Sequence, residues 1–287
     1  MPNTITTPET GRETTQHTGQ TGQTAATDTL IRTDHGAVAC LTLNAPRALN
    51  PLSDAMLAAL TGALADLATD GSIRAIVLRG AGKAFCAGHD LKEMTAARAA
   101  PDGGAAYFAD LFDRCGALMQ AIPRQPQPVI AQAHGIATAA GCQLVASCDM
   151  AVAAEGTRFG VNGVNIGLFC STPMVALSRN IPRKQAFEML TTGDFIDAHR
   201  ARALGLVNRV VPPDALEAET MALAQKIAGK LGSAVRIGKG AFYDQSERDL
   251  AGAYQLTRDA MVRNMMDADT AEGIRAFIEK RPPDWQQ

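Results

Sequence analysis

The sequence lacks a surplus of either charge: 27 Lys and Arg stand against 29 Asp and Glu in 287 residues, a formal net charge of −2. A chain that grips a nucleic-acid backbone or an anionic membrane surface needs excess cations to displace counterions, so neither partner is expected. The six cysteines, Cys40, Cys86, Cys115, Cys142, Cys148 and Cys170, show no CxxC spacing and lie in apolar contexts without an apolar signal-like segment ahead of them. Reduced core thiols are expected rather than a secreted disulfide framework. GxSxG, HExxH and HxxxH are all missing. The run from Arg79 to Phe85 resembles a phosphate loop but lacks the leading glycine and the Ser or Thr after Lys83, which argues against nucleotide hydrolysis. His89 and Glu93 could share a helix face, yet two ligands make a weak metal site, and no metal is expected. The uncharged stretch from Val129 to Cys148 has the length of a membrane span, but Gln132, His134, Thr138, Gln143, Ser147 and many alanines mark it as buried protein.

What is present suits a folded chain: 46% of residues are hydrophobic and 20% charged. Residues 1–28 are the exception, with ten threonines, recurring Gln and Gly, and no apolar period, and they are expected to form a disordered tail. Arg12 is the only Lys or Arg there, beside Glu9, Glu13 and Asp28, whereas a mitochondrial presequence is rich in Arg and poor in acids. A cytoplasmic location is therefore the expectation.

Residues 29–213 carry an α/β rhythm. Strand-like runs at Val38–Leu43, Ala75–Leu78, Val129–Ala133, Met150–Ala153 and Leu206–Val211 alternate with helical stretches opening at Ser53 or Asp54, near Leu91, at about Ala139, and at Pro173–Arg179 and Arg183–Leu190. After Pro212 and Pro213 the strands stop, and residues 214–287 read as three or four helices that cover the α/β part or a partner subunit.

Two glycine-containing strand exits are the informative segments: Ala84-Phe-Cys-Ala-Gly-His-Asp90, and His134-Gly-Ile-Ala-Thr-Ala-Ala-Gly-Cys-Gln143. A chain turning tightly into a helix exposes the first N–H donors of that helix, and two such donors converging from separate loops can hold an oxyanion. Two tight turns that need glycine only for backbone geometry would read the same way.

At these residues the sequence resembles the enoyl-CoA hydratase/isomerase (crotonase) superfamily, from about Leu30 onward. The shared elements are Leu43-Asn-Ala-Pro-Arg-Ala-Leu-Asn50, the whole run from Ala75 to Met94, Gly135 to Asp149, Phe159 to Gly167, Leu190 to Gly193, and Phe277 to Arg281, in the family's order. Within the superfamily, Gly163 to Pro173 and Lys280 to Trp285 most resemble the enoyl-CoA hydratase domain-containing protein 3 group. The resemblance implies a spiral of ββα repeats with a C-terminal helical trimerisation region, the trimers often pairing into hexamers. It also implies an acyl-CoA thioester as ligand and no cofactor beyond the CoA moiety. By matching, the backbone N–H groups of His89 and Ala140 form the oxyanion hole that stabilises a thioester enolate. The CoA path would involve Arg47, Ala48, Leu49, Ala87, Asp90, Leu91 and Lys92, with Lys280 or Arg281 reaching a phosphate. Asp90 also reads as a cap on the helix beginning at Leu91, and His89 has a lesser claim to proton transfer.

The pattern departs from family hydratases at both catalytic glutamates. Gln143 stands in the place of the first and Gly163 in the place of the second, while Ser171 occupies a position where some isomerases and a dehalogenase carry aspartate. Gln can orient water but cannot take its proton, and Gly supplies nothing. Three readings stay open. One is a hydratase or isomerase with a substitute base: a bound water, a small anion admitted by space at Gly163, or the Cys170 thiol. Another is decarboxylation of a malonyl- or methylmalonyl-type thioester, which needs no glutamate; Ala87 to Asp90 and Val164 to Gly167 resemble family decarboxylases. The last is an acyl-CoA-binding oligomer without catalysis. Restoring both glutamates is expected to raise hydration if the rest of the cradle is intact.

Overall fold

The structure, a computed structural model, describes residues 29–286, so the expected tail at 1–28 lies outside the described residues. In chain order the elements are β1 (Leu30–His35), β2 (Val38–Leu43), α1 (Asp54–Thr69), β3 (Ala75–Gly80), α2 (Leu91–Ala97), α3 (Ala105–Arg124), β4 (Val129–Ala133), β5 (Ile136–Thr138) and α4 (Ala140–Ser147). There follow β6 (Met150–Ala154), β7 (Arg158–Gly160), α5 (Pro173–Asn180), α6 (Arg183–Thr192), β8 (Ile196–Asp197), α7 (Ala198–Leu204), β9 (Arg209–Val211), α8 (Leu216–Ala228), α9 (Gly232–Ser246), α10 (Leu250–Met265) and α11 (Ala268–Ile278).

Six strands form the main sheet in the order β1-β2-β3-β4-β6-β9, antiparallel only between β1 and β2. Side chains alternate between its faces, as a strand's two-residue period requires. From β2 and β3, Ala39, Leu41, Leu43, Ile76 and Leu78 enter one core with helices α1, α3 and α4. Their neighbours Val38, Cys40, Ala75 and Val77 enter a second core with Leu216, Ala224 and Ala228 of α8. Both faces are therefore covered, which explains why these strands read as unbroken apolar runs. Because α8 closes the second face, the division at 213/214 falls just before a helix that belongs to the sheet's packing.

The small sheet, β5-β7-β8, is built by chain that has just left the main one. Two residues, His134 and Gly135, separate β4 from β5, and a similar short turn separates β6 from β7. A strand in one sheet, a strand in the next and then a helix is the ββα repeat implied by the resemblance. β1, β5, β7, β8, α3 and α7 are absent from the sequence reading. β5, β7 and β8 have only two or three residues, too few for a period to register. α3 is different: its buried residues Leu111, Cys115, Leu118, Met119 and Ile122 do follow helical spacing. The last strand is also shorter than expected, starting at Arg209 rather than Leu206.

α9 is pinned to the core by a buried ion pair. Lys239 Nζ lies 2.6 Å from Asp149 Oδ2 and also donates to the carbonyls of Ile122 and Gln127 at 2.9 Å. Tyr243 donates to the other Asp149 oxygen at 2.8 Å, and the Val129 N–H to the first at 2.6 Å, so the buried charges are matched on both sides.

Candidate active site

The segment after β3 runs as an irregular strand between two others. On one side Phe85 and Cys86 donate their N–H groups to Ile136 O at 3.1 and 3.2 Å, and Thr138 N–H donates to Cys86 O at 3.1 Å. On the other, Ala87 N–H donates to Leu49 O at 3.0 Å and Leu52 N–H to Gly88 O at 2.8 Å. The two glycine-containing exits singled out in the sequence are thereby laid side by side.

Their closest approach depends on three residues with special backbone requirements. Gly88 has φ +92°, and a Cβ there would lie 3.0 Å from Ala139 Cβ and 3.3 Å from the Ala140 nitrogen. Gly141 faces the loop so closely that a Cβ would lie 2.2 Å from Cys86 O. Ala139, between them, adopts φ +50° and ψ −121°, a strained conformation for a residue with a side chain. It is held by its N–H bond to Gly160 O at 2.9 Å. The consequence is that α4 begins against the first loop with the Ala140 N–H as its leading donor. A helix's first N–H groups have no intrahelical acceptor. In a planar trans peptide the N–H points opposite to the C=O. Since Gly88 O is taken by Leu52, the His89 N–H faces away from that segment. Among the described residues, neither the His89 nor the Ala140 N–H donates to a protein acceptor.

Gln143 lies one helical turn beyond Ala140, is 4% exposed, and its Oε1 has no hydrogen-bond partner. Gly163 sits in the 3-10 turn Asn162–Ile166 after β7, tied to the second loop by Thr138 Oγ1 donating to Asn162 Oδ1 at 2.6 Å. The expectation of open space at Gly163 is corrected here. A Cβ would fall 2.2 Å from Leu168 O and 2.9 Å from Cys170 Sγ, because residues 168–170 fold back over the turn, so a glutamate side chain has no room here unless that backbone shifts. The Cys170 thiol is equally unsuited as a substitute base: burial pushes its pKa up, as it pushes Cys142 up to about 12, and both stay protonated at neutral pH. Ser171 is exposed, its hydroxyl 3.5 Å from Phe169 O.

The His89 ring has its edge toward Phe112, centroids 5.8 Å apart, with Nδ1 3.4 Å from Leu52 O and Nε2 buried without a partner. Burial lowers its pKa and favours the neutral imidazole. Asp90 does not orient it. The Asp90 carboxylate caps α2, accepting from Lys92 N–H at 2.8 Å and Glu93 N–H at 3.4 Å.

Arg47 and Ala48 are exposed in the 3-10 turn Pro46–Ala48, and Leu49 is half-buried at φ +63°. Through the Ala87 to Leu49 bond this turn abuts the first loop, so Arg47, Ala48, Leu49, Ala87, Asp90, Leu91 and Lys92 belong to one neighbourhood. Lys280 is exposed at the end of α11 with φ +55°. Its neighbour Arg281 is already matched by Glu272 and Glu279, each at 2.6 Å. Sequence reasoning gives no role to Asn50, which is fully buried between the turn and the loop. The signal was an uncharged polar residue ending a motif whose other members are mostly apolar.

Comparison with known proteins shows the family. Residues 33–287 match the family described as Enoyl-CoA hydratase/isomerase. The mouse protein named enoyl-CoA hydratase domain-containing protein 3, mitochondrial, is 48% identical over 245 residues, spanning 85% of this chain and 80% of the relative. A putative enoyl-CoA hydratase of Thermus thermophilus is 36% identical over 254 residues, 88% of this chain and 99% of the relative. Among solved structures, an enoyl-CoA hydratase of Mycobacterium smegmatis superposes with a TM-score of 0.86 at 56% identity, covering 90% of this chain and 99% of the other. Human enoyl-CoA hydratase domain-containing protein 3 gives 0.85 at 44% identity, covering 90% and 100%. Several of the similar curated relatives are named mitochondrial, which overturns the cytoplasmic expectation drawn from residues 1–28. Among the described residues no helix is long and apolar enough to cross a membrane. With matched sequence from residue 33 onward and a shared fold, the chain belongs to the enoyl-CoA hydratase/isomerase (crotonase) superfamily.

Proposed function

We propose that this protein binds an acyl-CoA thioester and stabilises its enolate with the backbone N–H groups of His89 and Ala140. One observation carries the reading: the pairing of the two loops sets Gly88 against the Ala140 nitrogen, and among the described residues both N–H groups are without protein acceptors. Charge on the thioester oxygen grows as the enolate forms, so fixed donors there favour the transition state over the bound ground state. The CoA portion would lie along Arg47, Ala48 and Leu49, with Ala87, Asp90, Leu91 and Lys92 beside it and Lys280 as a phosphate contact. The reading needs no cofactor beyond the CoA moiety.

Ordinary hydration is not part of this proposal. Gln143 cannot accept a proton, and Gly163 is closed by Leu168 and Cys170. That closure favours a second reading, decarboxylation of a malonyl-type thioester. The bond between the α-carbon and the carboxylate breaks, its electron pair passes into the enolate held by the two amides, CO₂ departs, and the α-carbon then takes a proton from solvent. No side-chain base is required.

Assembly into a homotrimer or a pair of trimers is part of the same proposal. Leu250, Tyr254, Met261, Val262, Met265, Phe277 and Ile278 of α10 and α11 are exposed, an apolar surface that association would cover. Sedimentation analysis tests this, and a monomer would refute it.

For the main reading, calorimetry with butyryl-CoA is combined with mass-spectrometric analysis after incubation with crotonyl-CoA and malonyl-CoA. Binding with malonyl-CoA converted to acetyl-CoA supports the decarboxylase reading. Binding with neither substrate changed supports a non-catalytic binder. Hydration of crotonyl-CoA at the rate of glutamate-bearing relatives would contradict the assignment of Gln143 and Gly163, and absence of binding would contradict the whole reading.

A further inference from the structure

The Asn50 side chain is 0% exposed and its backbone lies in the left-handed region at φ +53°. Its Oδ1 accepts the Ala45 N–H at 2.9 Å. Its Nδ2 donates to Ala81 O and Ala84 O at 2.8 Å each and lies 3.3 Å from Phe85 O. One carboxamide thus ties the turn at residues 45–50 to the chain leaving β3. Room for it comes from Gly80, where a Cβ would lie 2.8 Å from Nδ2 and 2.5 Å from Phe85 O.

The backbone beside Asn50 extends the same clamp. Leu49 O receives the Ala87 N–H, and Leu52 N–H holds Gly88 O. The Gly88 carbonyl and the His89 N–H belong to a single planar peptide, so whatever fixes one fixes the direction of the other. Asn50 lies between Leu49 and Leu52, the two residues that make those bonds. Losing its side chain would leave the buried Ala84 and Phe85 carbonyls, the part-buried Ala81 carbonyl and the Ala45 N–H without their present partner, and the buried groups would be re-satisfied only by movement of the turn against the loop.

We propose that Asn50 is a positioning residue for the His89 N–H, acting through the turn that holds the Gly88–His89 peptide. The inference rests on the thioester reading above. It assigns Asn50 no contact with ligand.

The test is isotope-edited infrared spectroscopy of butyryl-CoA labelled at the thioester carbonyl and bound to the full chain. Two aligned N–H donors polarise that carbonyl and lower its stretching frequency, a signature that stability alone does not set. Asn50→Gly is the variant of choice, since glycine accepts φ +53° without strain and the substitution isolates the side-chain clamp. Should it not fold, Asn50→Ser gives the same readout, with a hydroxyl too short to span the three carbonyls. Gln125→Ala is the control: Gln125 is buried, bonded to Leu64 O and Gln127 Oε1 away from the loops, and its loss removes buried hydrogen bonds elsewhere.

The expected result is a lowered frequency in the wild type, loss of most of that shift in the Asn50 variant, and a normal shift in Gln125→Ala. An Asn50 variant that keeps the full shift overturns the proposal. So does a Gln125→Ala variant that loses it equally, because general loosening would then be the cause. A wild type that binds butyryl-CoA with no shift overturns the thioester reading, and this proposal with it.

Discussion

Gly88 and Gly163 are both glycines that a side chain would drive into neighbouring backbone, yet they leave opposite chemistry behind. At Gly88 the missing side chain lets one loop lie on the next and brings the Ala140 nitrogen within 3.3 Å of where a Cβ would be, beside N–H donors that have no acceptor among the described residues. At Gly163 the space is taken up by Leu168 O and Cys170 Sγ, which offer a carbonyl and a protonated thiol. On the proposed reading the first region supplies the donors that enolate stabilisation needs, while the second supplies no side chain for proton transfer. The comparison teaches that the two halves of this chemistry are separable in the fold, since each is set by its own turn.

The sharpest way to break the comparison is at Gly88. Gly88→Ala places a Cβ at φ +92° against Ala139 and Ala140, and is expected to cost about 2.7–4 kcal/mol of transition-state stabilisation, the typical value of one lost oxyanion donor. The loss is read as a fall of roughly 100- to 1,000-fold in turnover of whichever thioester the protein proves to convert. A variant with wild-type turnover would show that the loop junction does not matter.

Gly163→Glu is expected to act on stability instead. Forcing a side chain into Leu168 O and Cys170 is expected to cost about 1–3 kcal/mol in chemical denaturation, with no gain in crotonyl-CoA hydration. This reverses the expectation that restoring both glutamates raises hydration. A stable, hydrating variant would mean that residues 168–170 swing aside.

Gln143→Glu changes little in size and is expected to fold, while any rise in hydration stays below the roughly 100-fold that a well-placed acid or base supplies. A larger rise would locate a second proton donor elsewhere in the site.

The smallest effect concerns His89. Burial depresses its folded-state pKa, so the unfolded chain binds the proton more readily and stability is lost as pH falls through the depressed value. His89→Leu should flatten that acid-side decline, measured by thermal unfolding below about pH 6.5, the ordinary imidazole value. Unchanged pH dependence would mean the ring is accessible to solvent in the folded protein.

Much of the cradle was legible in the sequence because it is made of local requirements. A glycine at Gly88, a helix start at Ala140 and an Asp90 cap each leave a mark on a few consecutive residues. The ββα implication was legible through resemblance, while β5, β7 and β8 themselves are too short to show a pattern. What sequence did not carry is contact between distant segments. The closure over Gly163 depends on how residues 168–170 return, and Asn50 matters through carbonyls 31 to 35 residues away. The closure has no local signature, and at Asn50 the residue type marks a polar group without revealing its distant partners. The location inferred from Arg12 and its acidic neighbours failed for a related reason: composition of a tail is a weak guide beside named mitochondrial relatives.

The central claim, that the His89 and Ala140 amides favour an enolate, is tested most directly with acetoacetyl-CoA, whose enolate absorbs in the near ultraviolet where the keto form does not. Titrating it with protein at fixed neutral pH should raise the enolate band in proportion to bound ligand, with Gly88→Ala abolishing the rise. Saturable binding with no growth of that band would contradict the account.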